Sequence, residues 1–306
     1  LLRLPKVKNQ NFALIISLFS LGTGFVLTAC QTGESQIKKL NEHLNSVAVQ
    51  LNESSKDVET NNDYDPDIPV DSTFKTIHLF VALCDNKYQG IVPVPKGIGN
   101  GQDPRTNLYW GCGYGVKTFF KKSPEWTLIR SEKKDSIILE RLIFKHRSKN
   151  YFLVADAYDG RLIKQCTIAF LKSSSGNDYD TVQVLDKTIG VNSHASLLGY
   201  IGHDGLMDFT INQAFTNKSD RKRDVIILAC YSKSYFSQHL LDAKINPIVW
   251  TSGLIAPEAY TMHGALSGYV LNETNAQIRE RAAQAYHQYQ KCGINGARNL
   301  LRTGWE

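Results

Sequence analysis

Two apolar runs constrain this chain more than any other feature. The first is Leu197-Leu198-Gly199-Tyr200-Ile201-Gly202-His203-Asp204-Gly205, and the second is Asp224-Val225-Ile226-Ile227-Leu228-Ala229-Cys230-Tyr231-Ser232. Each stops at a small residue and a reactive side chain. Apolar runs of this length, bounded by turn signals, predict buried strands of a parallel sheet. In open parallel sheets the chemistry collects at the carboxyl ends of the strands. One strand therefore delivers the imidazole of His203, and the other the thiol of Cys230, to the same edge. A base beside a thiol is the arrangement that produces a thiolate nucleophile.

The rest of the chain from residue 73 supplies a frame for such an edge. Further strands are expected at 77–84, 126–130, 151–155 and 247–250. Helical periodicity predicts helices at 116–122, 136–144, 162–171, 234–243, 258–270 and 275–289. A long Gly/Pro-rich loop separates the first strand from the first helix. This alternation argues for an α/β domain over 73–306, a mostly parallel sheet with helices on both faces. With 42% apolar and 21% charged residues, the chain has enough apolar material for a sizeable core.

The amino terminus reads as a targeting segment. Arg3, Lys6 and Lys8 form a basic flank, 12–27 is an apolar run, and Leu27-Thr28-Ala29-Cys30 closes it. The run has signal-peptide length and is short for a membrane span. The closing tetrapeptide resembles a bacterial lipobox, which implies a signal peptide over 1–29 and a lipid on Cys30. By the same resemblance, Gln31 after the cysteine points to the outer membrane, with the domain facing the periplasm. Loss of Arg3, Lys6 and Lys8 lowers the formal charge from +6 to +3. That balance, with no basic run interleaved with aromatics, excludes nucleic acid as an expected partner. Residues 30–72 read as a polar tether. Within it Ile37, Leu40, Leu44, Val47 and Leu51 recur at heptad spacing, as a short amphipathic helix or a self-association seam. The oligomeric state stays open. Asp63, Asp65 and Asp67 alternate, but Ile68 and Phe74 occupy the Gly and Glu positions of a calcium loop, which rules one out. Beyond Cys30 the cysteines are Cys84, Cys112, Cys166, Cys230 and Cys292. An odd count leaves one thiol free or paired between chains.

The parts around the two strand ends point to one reaction class. Gly202 and Gly205 free the backbone to turn sharply. The helix after Cys230 would aim its positive amino terminus at the thiol. Free N–H groups there could hold an oxyanion. This arrangement resembles the caspase-like superfamily of cysteine peptidases. In that group an apolar strand ends in His-Gly and a later one in Ala-Cys. The resemblance implies a caspase-like three-layer α/β fold. It makes His203 the catalytic histidine and Cys230 the nucleophile, with backbone N–H groups of Gly205 and Cys230 as the oxyanion site. Here Asp204 stands between the histidine and the glycine. The expected activity is hydrolysis of a peptide or amide bond in a peptide or protein substrate, with no cofactor.

Other readings compete. Asp85, Asp156, Asp159, His203 and Asp204 fall at or just past expected strand ends. Such a set could hold a divalent metal or cleave a glycosidic bond. No close-spaced ligand motif accompanies it, and no metal is assigned. Within the dyad reading, Asp85 or Asp156 could line a substrate pocket for a basic side chain. The loop segment Asn107-Leu108-Tyr109-Trp110-Gly111-Cys112-Gly113-Tyr114-Gly115 either packs aromatics onto the core or offers them to a ligand. The second option supports a rival function, a non-catalytic lipoprotein that holds a glycan or a protein partner.

Overall fold

The computed structural model of the protein describes residues 69–217 and 221–305. The signal segment, Cys30 and the heptad run at 37–51 lie outside the described residues. Among the described residues ten strands are present: β1 (Lys75–Ala82), β2 (Trp126–Glu132), β3 (Ile138–His146), β4 (Tyr151–Tyr158), β5 (Tyr179–Val184), β6 (Lys187–Asn192), β7 (Leu197–Ile201), β8 (Asp224–Leu228), β9 (Asn246–Thr251) and β10 (Leu301–Arg302). The helices are α1 (Val116–Lys122), α2 (Ile163–Ser174), α3 (Ser232–Asp242), α4 (Ala259–Val270), α5 (Asn275–Gln290) and α6 (Ile294–Leu300).

Eight strands form one mixed sheet in the order β10-β9-β8-β7-β1-β4-β3-β2. The five central strands, β9-β8-β7-β1-β4, run parallel. β10 and β3 flank them antiparallel, and β2 pairs antiparallel with β3. The fold is therefore α/β with a mostly parallel sheet. Burial explains the apolar runs: β4, β7 and all of β1 except Lys75 are buried along their length, as parallel strands covered by other layers must be. Alternate residues of β1 enter different clusters. Ile77, Leu79 and Val81 pack with Met262 and Leu266 of α4 and Ile278 and Ala282 of α5. Phe80 and Ala82 pack with Cys166 and Phe170 of α2 and Phe236 and Leu240 of α3.

Two expectations need correction, and one element is new. The segment 136–144 is not a helix: it contributes most of strand β3. Its Leu142 and Phe144 join one cluster while Ile143 joins another, a period of two that the run of apolar residues disguised. The hairpin of β5 and β6 was not anticipated. Val182, Val184, Ile189 and Val191 cover Ile143, Phe152 and Val154. Finally, Asp156 does not end a strand. β4 continues through Ala157 and Tyr158, and Asp156 pairs with Phe80 and Arg141 inside the sheet.

The register at the carboxyl edge positions the site. Val81 pairs with Ile201, and Ile201 pairs with Leu228. His203 and Cys230 thus each lie two residues past the same registered row. Gly202 between them continues the ladder, donating its N–H to the Leu228 carbonyl at 3.3 Å. Its φ of +143° and the Ala82 carbonyl, 2.6 Å from where a Cβ would sit, require glycine.

Candidate functional site

His203 leaves β7 through Gly202 and is 6% exposed. Its carbonyl accepts the Tyr200 hydroxyl at 2.9 Å, which fixes the backbone of the turn. Its Nε2 meets Asp208 Oδ2 at 2.7 Å. The same carboxylate oxygen accepts the Gly90 N–H at 2.9 Å. With Nε2–H donating to Asp208, Nδ1 carries the lone pair, an assignment made from the hydrogen bond. Among the described residues no group bonds Nδ1. A carboxylate behind an imidazole orients a general base in this way. Asp208 escaped sequence reading because it becomes a partner only when the short 3-10 turn Gly205–Met207 folds the chain back.

Cys230 follows β8 at the corner where strand turns into helix. Tyr231, the next residue, adopts the left-handed conformation with φ of 50°, uncommon for a bulky side chain. Cys230 is partly exposed. Its thiol points at the Ile255 carbonyl, 3.7 Å away, and makes no hydrogen bond to His203. Burial pushes the thiol above its ordinary range. The charge of Asp204 adds to that shift. The expected helix effect is therefore outweighed. α3 begins at Ser232, and its first N–H groups are already engaged. Tyr231 N–H donates to the Gly253 carbonyl at 2.9 Å, and Ser232 N–H to Thr251 Oγ1 at 3.1 Å.

Two main-chain donors remain beside the pair. Among the described residues, neither the Gly205 N–H nor the Cys230 N–H donates to a protein acceptor. Asp204, between His203 and Gly205, is wholly enclosed. Its Oδ1 accepts the Leu206 N–H at 3.0 Å, while Oδ2 has no partner. Burial raises this carboxyl to about 7.

The remaining acids have structural work. Asp85 Oδ1 accepts the N–H groups of Lys87 (2.8 Å) and Tyr88 (3.1 Å). Its Oδ2 accepts Gln102 Nε2 (2.7 Å) and the Gly101 N–H (3.2 Å). Asp159 accepts Arg161 Nη2 at 2.6 Å and Gln102 Nε2 at 2.8 Å. Asp156 receives Arg141 through two bonds of 2.6 and 2.7 Å, and His78 Nε2 at 3.0 Å. Burial alone would raise the Asp156 carboxyl, but these partners hold it down at about 2. The oxygens of Asp85 and Asp156 are thus bonded to neighbours inside the fold. Among the described residues, no group of three or more His, Cys, Asp or Glu side chains is placed to hold a metal ion. The five described cysteines are all free thiols.

The aromatic loop divides between core and surface. Tyr109 and Trp110 are buried, and Trp110 Nε1 donates to Glu140 Oε2 at 2.7 Å. Tyr114 is 49% exposed. With Phe119, Tyr260, His263 and Tyr289 it lines an open cleft of about 480 Å³. Tyr260 and Tyr289 stack there at 4.3 Å.

No family model, curated protein or solved structure matches this chain.

Proposed function

We propose that the protein is a cysteine-dependent hydrolase of peptide or amide bonds built on a caspase-like three-layer fold. One observation carries this reading: adjacent parallel strands, in register, set His203 and Cys230 two residues past the same row. Asp208 stands behind the imidazole, and two unclaimed N–H groups lie alongside. The alternation of β1 residues between clusters containing α4 and α5 and clusters containing α2 and α3 supports a sheet with helices on both faces.

The geometry suggests how such a reaction would run. A substrate carbonyl entering the edge displaces the thiol from Ile255. His203 Nδ1 takes the Sγ proton as the sulfur attacks the carbonyl carbon, because the resting thiol is neutral and the two events must be coupled. The N–H groups of Gly205 and Cys230 receive the developing oxyanion. The imidazolium, steadied by Asp208, then protonates the leaving amine. Water activated by His203 cleaves the resulting thioester and returns the thiol. No cofactor enters the scheme.

Hydrolysis of an internally quenched peptide library tests the scheme. Cys230→Ala should abolish turnover. Asp208→Asn should lower kcat by about 10²-fold or more, in keeping with loss of a base-orienting carboxylate. Unchanged turnover in Cys230→Ala would refute the reading.

The placement of the protein belongs to the same proposal: a lipoprotein held through Cys30 in a bacterial outer membrane, acting on peptide or protein substrates in the periplasm. Labelled palmitate should enter the full chain and be lost in Cys30→Ser; equal labelling of both would contradict it. No helix among the described residues is long and apolar enough to cross a membrane.

A second reading has one observation in its favour. The Cys230 thiol is neutral and turned to Ile255, as a structural cysteine would be. In that case the protein is a caspase-like binding lipoprotein that holds a glycan or a protein partner at the Tyr114–Tyr260–Tyr289 cleft. Saccharide or protein binding lost in Tyr289→Ala, with no hydrolysis by the parent chain, would favour it.

A further inference from the structure

A second pair of reactive side chains lies where α1 packs against α4. Ser123 ends α1, its N–H donating to the Phe120 carbonyl at 3.1 Å. Pro124 follows and keeps Ser123 extended, which stops the helix there. His263 belongs to α4. Ser123 Oγ and His263 Nε2 are 2.7 Å apart. The same Oγ accepts the Glu125 N–H at 3.1 Å. Its own proton is then left for Nε2, an assignment made from the hydrogen bonds. Phe119 and Phe120 pack on the imidazole with ring centroids 5.5 and 5.3 Å away, which fixes its orientation. Glu125 Oε2 lies 3.6 Å from Nε2 and accepts the Ser267 hydroxyl at 2.7 Å. Burial holds the imidazole below its ordinary range, so the ring is neutral and able to take a proton.

Both members of the pair line the aromatic cleft of about 480 Å³. Tyr114, Tyr260 and Tyr289 contribute to its walls. Lys122, next to the serine in the chain, is the one cation in its lining, and no acid lines it. A hydroxyl bonded to a neutral imidazole, with a carboxylate near the ring and an open cavity beside both, meets the geometric test for a nucleophile and its base.

We propose that this cleft is an acyl-transfer site in its own right, with Ser123 as nucleophile and His263 as base, and that it takes carboxylic esters with an aromatic or apolar portion. The tyrosine walls bury that portion. Ser123 Oγ attacks the ester carbonyl carbon as its proton passes to His263 Nε2. Glu125 offsets the charge of the imidazolium, and Lys122 that of the oxyanion. The imidazolium protonates the leaving alkoxide as the C–O bond breaks. Water then gives a proton to Nε2 and cleaves the acyl-serine, which releases the acid and restores the hydroxyl. Water is the sole co-reactant. Neither His203 nor Cys230 enters, so the inference does not rest on the scheme at the sheet edge.

An alkyl fluorophosphonate tests this on the full chain, since an activated serine displaces its fluoride and keeps the phosphonyl group. Peptide mass spectrometry should find the adduct on Ser123 in the native chain and not in urea. The rate should fall by about 10²-fold or more in His263→Ala. With 4-nitrophenyl phenylacetate, Ser123→Ala should lose turnover. Tyr289→Ala should raise KM with little change in kcat, as loss of uniform binding does. A native chain unlabelled at Ser123, labelling indifferent to His263, or ester turnover unchanged in Ser123→Ala would each overturn the inference. Should His263→Ala fail to fold, the wild-type chain decides. Ser123 labelled only when folded upholds the proposal, and labelling in both states or in neither contradicts it. The adduct is read at Ser123 itself. Peptide hydrolysis without it would refute this inference alone, and the adduct without peptide hydrolysis would refute the cysteine scheme alone.

Discussion

At the end of β8 several influences meet on one sulfur. Desolvation and the Asp204 charge favour the thiol, while the positive amino terminus of α3 would favour a thiolate. Burial wins, because helix-end effects are worth about 1 kcal/mol and fade within a turn. The same burial makes Asp204 a stability switch. Burial raises its folded carboxyl to about 7, against about 3.9 for an unperturbed aspartate. The folded state therefore holds a proton that the unfolded chain releases between those values. Stability from this group is full below the unfolded value and is lost as pH rises through the folded one. Urea unfolding should show Asp204→Asn gaining on wild type from pH 4 to pH 8, by a total of a few kcal/mol. A difference that is constant with pH would contradict the shift. His203 and Cys230 were legible as residues because each ends an apolar run. Asp208 was not, since no local pattern marks an acid that becomes a partner through a turn. Asp204 was visible as a departure from His-Gly, but its lack of a partner is a property of packing.

At the scale of elements, the central strands were readable for a physical reason. A parallel strand covered on both sides must be apolar along its length, so β1, β4, β7, β8 and β9 announce themselves. Helices α1 and α5 were equally plain. The segment 136–144 was not, because a short apolar run satisfies both periods and its strand neighbours β2 and β4 decide between them. The β5–β6 hairpin turns at Leu185-Asp186 with Leu185 at φ of 57°, a turn without the glycine that would have flagged it. Pairing of β3 with β4 also builds the Arg141–Asp156–His78 group. Arg141 and Asp156 are registered neighbours, and His78 joins from β1, two residues before Phe80, the β1 partner of Asp156. The Asn192 N–H donates to His78 Nδ1 at 3.1 Å, so Nε2–H faces the carboxylate. Arg141→Met should cost about 3–5 kcal/mol, because it strands a buried carboxylate. Adding Asp156→Leu should recover part of that loss. Chemical denaturation of the two variants checks this, and a loss unchanged in the double variant would show that the charge is not the cause.

At the scale of the molecule, a mostly parallel sheet carries the proposed dyad at its carboxyl edge. Sheet order places β7 beside β8, register levels their ends, and turns at Gly202 and Tyr231 bring out an imidazole and a thiol. The resting thiol leans on Ile255, so the claim is that a substrate carbonyl draws sulfur and ring together. A peptidyl acyloxymethyl ketone reports that event, since it offers a carbonyl to the nucleophile and leaves a stable thioether. Incubation of the native chain with a panel of such peptides, read by peptide mass spectrometry, should place the adduct on Cys230. The rate should fall by about 10²-fold or more in His203→Ala, and modification should be lost on unfolding in urea. Adducts spread over Cys112 and Cys292, or a Cys230 rate indifferent to His203 and to unfolding, would contradict the account.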